Sequence, residues 1–143
     1  MTHVISYLMK ISIPQLAAKY VYPALRRRLV EILYHKKKMN QLEIARLLGI
    51  SQSAVSRYVE GNRGVYIDVS RFKDIEQELE KLADAIVDEN MSIYDIQLEL
   101  ARITMVFLGK GYACNLHSRI DKSIDPSKCR SCLILFKDYV EAR

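Results

Sequence analysis

The residues most able to do chemistry lie near the end of the chain. Cys114, His117, Cys129 and Cys132 form two pairs, each separated by two residues, with eleven residues between the pairs. The chain has three cysteines, and all of them are in this cluster. Two such pairs can pinch one tetrahedral metal ion from two short turns. Cys3His ligation suits a structural zinc ion. An iron–sulfur cluster is the alternative, and it would make the protein a sensor of redox state, oxygen or iron. A disulfide switch within the set, or buried thiols with no metal, complete the readings. Four protein ligands leave no open position for a reacting water, so the cluster does not read as a catalytic zinc site. Lys128, Arg130 and the start of a helix spanning Cys129 to Glu141 are expected to favour the thiolate form.

A second constellation is built for recognition. The block from Gln41 to Arg63 contains Ala45, Gly49, Ile50, Ser51 and Val55 at the offsets of a helix-turn-helix. Ala45 is small where two helices cross. Gly49 can close the first helix in a left-handed conformation. Ile50 fills the corner, Ser51 caps the second helix, and Val55 with Tyr58 or Val59 packs inward. Gln52, Ser53, Ser56 and Arg57 are then the outward residues expected to read DNA bases. A glutamine amide can pair with adenine, and a guanidinium with guanine. Arg26, Arg27, Arg28, Lys36, Lys37, Lys38, Asn62 and Arg63 are candidates for the phosphate backbone, which positions without specifying.

From Pro14 through Gly64 the sequence resembles archaeal Cro/repressor-type (XRE-like) regulators. The residues that carry the likeness are Ala18 to Arg26, then Gln41, Ile44, Ala45, Leu48 to Ser51, Val55, Ser56, Tyr58 and Gly61 to Gly64. The resemblance implies a dimeric regulator that binds double-stranded DNA at an operator. It covers about the first half of the chain.

These groups need a scaffold, and the hydrophobic periodicity supplies an all-α one. Pro14 can open a helix over Gln15 to Tyr22, and Pro23 is expected to interrupt it or start another. Leu25, Leu29, Ile32 and Leu33 share one face of a helix from Ala24 to Lys37. Ser70 to Leu108 reads as a helical hairpin broken at Asn90. Its stripes are Phe72, Ile75, Leu79, Leu82, Ile86 and Ile93, Ile96, Leu100, Ile103, Phe107, each spaced three and four. These seams either fill the chain's own core alone or also form a dimer interface, and dimer contacts are expected, since operator-binding helix-turn-helix proteins are usually two-fold symmetric. The organisation expected is a DNA-binding segment over 1–64, a dimerisation hairpin over 65–109 and a Cys/His segment over 110–143. Residues 1–13 fit a strand, a helix start or an arm equally well.

Composition bounds the function classes. The 143 residues carry a net charge of +5, with 50% hydrophobic and 27% charged side chains. Lys19 to Lys38 holds seven basic residues against one acid, and Asp68 to Glu99 holds ten acids against three bases. The basic block suits a polyanion, and the acidic one suits solvent or a protein partner such as the transcription machinery. No secretory signal or membrane span is visible, so a cytoplasmic protein is expected. No catalytic triad, phosphate-cradling glycine loop or nucleotide fingerprint is present, and no enzyme is expected.

Overall fold

The computed structural model describes residues 10–142. It is all helical, with no strand among the described residues. Most of the segment 1–13 lies outside them. Where the description begins, Ser12 caps the first helix in a reciprocal capping box with Gln15.

That first helix, α1, runs over residues 13–36. Its α-helical parts are Ile13–Leu16 and Tyr22–Glu31. Between and after them lie two π-helical turns, Ala17–Val21 and Ile32–Lys36. Pro23 therefore does not end the helix. The Tyr22 N–H reaches back five residues to the Ala17 carbonyl. This wider turn lets the chain pass a proline, whose ring would crowd the carbonyl four residues back.

Helices α2 (Gln41–Leu48) and α3 (Gln52–Val59) follow, joined by Gly49 to Ser51. A short 3-10 turn, Val69–Arg71, leads into α4 (Lys73–Glu89) and α5 (Ile93–Gly109). The C-terminal part holds three short helices: α6 (Cys114–Ile120), α7 (Ser131–Leu135) and α8 (Lys137–Glu141). The single helix expected over Cys129 to Glu141 is thus split. Phe136 leaves the helical region, at φ −106° and ψ 18°, and its ring packs against the core.

One continuous apolar core reaches from Leu16 in α1 to Cys132 in α7. Ile75, Leu79, Leu82, Ile86, Ile96, Leu100, Ile103 and Phe107 are all within it, each at most 5% exposed. The stripes expected to meet a second copy thus fill the chain's own core. The two stripes are covered by α1, by each other and by α7, because α1 brings its own apolar face to meet them. Each of these eight residues is packed inside the chain.

The charge blocks also meet. Glu76, Glu80 and Asp84 recur every turn along α4 and face the basic side of α1. Arg28 Nε donates to both carboxylate oxygens of Glu76 at 2.9 Å. Lys36 pairs with Glu80 at 2.6 Å, and Lys37 pairs with Asp84.

Candidate nucleic-acid interface

Local sequence explains the geometry of α2 and α3. The Asn40 side chain accepts from the Glu43 N–H at 2.8 Å and starts α2. Gly49 ends it at φ +65°, in the left-handed region. A Cβ there would also lie 2.6 Å from Cδ1 of Ile93, so α5 approaches this corner closely. Gln97 of α5 donates to the Leu48 carbonyl at 3.1 Å, which satisfies an end carbonyl of α2. Ser51 accepts from the Ala54 N–H at 3.1 Å and starts α3.

The second helix has two faces. Val55 and Tyr58 are fully buried, and Ala54 nearly so. Gln52, Ser53 and Arg57 are exposed. Ser56 departs from the expectation of an open residue. It is half-buried, and its hydroxyl donates to the Gln41 side-chain oxygen at the start of α2. Ser56 therefore ties the two helices together, and Gln41 joins the set of polar residues at this surface.

The expected backbone-contacting cations divide. Arg28, Lys36 and Lys37 are held by α4, as described above. The Glu76 hydrogen bond raises the Arg28 pKa despite burial, and the Asp84 hydrogen bond raises that of Lys37. Arg27 lies 3.6 Å from Glu31 on the same helix. Arg26 and Arg63 instead converge on Tyr58. Arg26 Nε donates to the Tyr58 hydroxyl at 2.9 Å, and its guanidinium lies over the Tyr22 and Tyr58 rings. Arg63 lies 5.8 Å from the same Tyr58 ring. Asn62 and Lys38 are exposed.

Arg26 and Arg63 line an open cleft of about 380 Å³ beside the C-terminal end of α3, together with Lys19, Asn62 and Tyr66. No acidic side chain lines it among the described residues. The turn over 61–64 is pressed onto α1: a Cβ on Gly64 would sit 2.6 Å from the Pro23 carbonyl oxygen. That contact brings Arg63 to the α1 cations. Lys19 and Gln41 enter the sequence reading only as the first residues of the basic block and of the helix-turn-helix, and Tyr66 not at all, because no spacing marks any of them as a DNA contact.

The Cys/His segment forms a separate locus. Cys114 and His117 lie one turn apart on α6, Cys129 precedes α7, and Cys132 lies within it. All four line one small cavity, with Leu16 of α1 and Leu108 of α5. Among the described residues, no group of three or more His, Cys, Asp and Glu side chains is arranged to hold a metal as it stands. The thiols are not disulfide-bonded. Burial, then the neighbouring thiols, push Cys132 up to about 11, and burial with Cys129 raises Cys114. The thiolate-favouring environment expected here is thus reversed at these two residues by desolvation.

His117 and Asp121 anchor this segment to the start of α1. His117 is 4% exposed, and its Nε2 lies 2.8 Å from the Ile11 carbonyl oxygen. Buried Asp121 accepts from the backbone N–H groups of Lys10 and Ile11, at 2.8 and 2.9 Å, and from Ser123. The Ser123 hydroxyl, with these N–H groups, outweighs burial and holds the carboxyl at about 2.

A family model for the winged helix-turn-helix DNA-binding domain matches residues 24–60, about a quarter of the chain. The match takes in the second half of α1 and all of α2 and α3, so this part is similar to a DNA-binding helix-turn-helix. No β-hairpin wing follows α3 among the described residues. Among curated proteins and among solved structures, nothing matches the chain. No helix of the described residues is long and apolar enough to cross a membrane.

Proposed function

We propose that the protein is a sequence-specific regulator of transcription that reads double-stranded DNA with α3. The observation that carries this is the division of α3 into a buried face and an exposed polar one. Ala54, Val55 and Tyr58 fix the helix, while Arg57 remains outward in its last turn and Gln52 and Ser53 remain outward in its first. Side chains there are the ones that reach base edges when such a helix enters the major groove. In this reading Gln52 and Arg57 specify bases, and Ser53 permits close approach. Ser56 sets the angle between the helices through Gln41. Arg26, Arg63, Lys19, Asn62 and Lys38 serve the phosphates. Arg28, Lys36 and Lys37 hold the fold through α4. The apolar stripes of α4 and α5 serve the chain's own core.

The test is selection of duplexes from a random pool by the full chain, followed by Gln52→Ala and Arg57→Ala. Each variant is expected to lose about 1–3 kcal/mol on the selected duplex and to relax preference at one base pair. Unchanged base preference in both variants, with circular dichroism unaltered, would remove α3 as the reader.

A further inference from the structure

The cavity behind Cys132 holds an arrangement that DNA binding does not use. Three sulfur atoms and one imidazole line it, from α6, the loop over 121–130 and α7. Its free space is about 10 Å³, close to one water-sized sphere.

The histidine adds a separate observation. The Ile11 carbonyl can only accept a hydrogen bond, so neutral His117 carries its proton on Nε2. That leaves the Nδ1 lone pair without a proton. A ring N–H donated to a backbone carbonyl is the usual support of a metal-ligating histidine, and it fixes tautomer and ring orientation.

We infer that Cys114, Cys129, Cys132 and Nδ1 of His117 bind one zinc ion. Three soft thiolates and one imidazole in two x2-spaced pairs favour tetrahedral zinc over ions that prefer oxygen. Binding requires the thiol side chains to turn toward a common point, since no three groups converge before the ion enters. Each thiol gives up its proton as its sulfur bonds the ion, so one Zn2+ displaces three protons from the three thiols. The ion then joins α6 to α7, and the His117 bond to Ile11 carries that constraint to the start of α1. The inference rests on the C-terminal segment and its contact with Ile11 and does not depend on the reading of α3.

The test uses the full chain purified without oxygen, stripped of metal, and titrated with Co2+ and then Zn2+. One Co2+ per chain is expected, with tetrahedral and thiolate-to-cobalt absorption, and one equivalent of Zn2+ should displace it. Three protons should be released per ion. Cys129→Ser removes a ligand outside the buried core, so it should stay folded and lose affinity at least tenfold. His117→Ala should also weaken binding and change the cobalt spectrum. A folded chain that takes up no Co2+, a stoichiometry other than one, or bound iron with sulfide would each overturn the site. A cobalt spectrum unchanged by His117→Ala would overturn the assigned nitrogen ligand. Duplex binding measured on the same samples reports on α3 separately.

Discussion

The surface of α3 and the Cys/His segment use polar side chains in opposite ways. On α3 the polar residues point outward, and the aromatic ring of Tyr58 holds them there from behind. Around α6 the polar residues point inward: His117 and Asp121 are buried, and both bond to the backbone at the start of α1. An exposed polar face is available to a ligand but contributes little to stability. A buried polar group has few other partners, so its loss is felt by the fold. The two regions should therefore respond differently to substitution.

The largest effect is expected at the link between the two faces of α3. Tyr58 is fully buried, accepts from Arg26 and lies under Arg63. Tyr58→Ala leaves a cavity and should cost about 3–5 kcal/mol in urea denaturation. Tyr58→Phe keeps the packing and removes the hydroxyl, so about 1 kcal/mol is expected. If the two variants lose equal stability, the hydroxyl rather than the ring is what supports α3.

Asp121 provides the matching perturbation in the other region. Asp121→Asn removes the charge and places an amide N–H against backbone donors, for an expected loss of about 1.5–3 kcal/mol. The pH dependence follows from its lowered pKa. The unfolded carboxyl, at 3.8, takes up a proton before the folded one, at about 2. Its stabilisation is thus complete above about pH 4 and fades as pH falls toward 2. Melting curves across that range should fall more steeply for the natural chain than for Asp121→Asn. Parallel curves would mean that Asp121 is not held in its charged form.

Much of the helix-turn-helix was legible in the sequence because its constraints are local. Gly49 at a left-handed corner, Ser51 as a cap and Val55 facing inward each depend on neighbours within a few residues. The amphipathic stripes of α4 and α5 were equally legible, but what they face was not. A period of three and four residues reports that a face is buried, and does not distinguish a partner chain from α1. What the charge blocks face was hidden for the same reason. Lys19 to Lys38 is basic as a run, yet Arg28, Lys36 and Lys37 meet acids more than forty residues away in sequence. The passage of α1 through Pro23 was hidden too, since a π turn has no residue signature.

The smallest expected effects decide between the two roles open to the basic residues of α1. Glu76 is largely covered and binds Arg28 through both oxygens, so Glu76→Gln should cost about 1 kcal/mol of stability. It also frees a guanidinium. If Arg28 can then reach a phosphate, the dependence of duplex affinity on salt should steepen by about one counterion. Lys36 and Glu80 are both about half exposed, and their pairing contributes about 0.5 kcal/mol or less. Lys36→Ala should therefore leave both stability and the salt slope nearly unchanged. Arg63→Ala, in the cleft that no acid lines among the described residues, should flatten that slope by about one. A Lys36→Ala variant whose slope falls as much as that of Arg63→Ala would return Lys36 to the DNA surface. It would mean that the acidic helix gives up its cations when a duplex arrives.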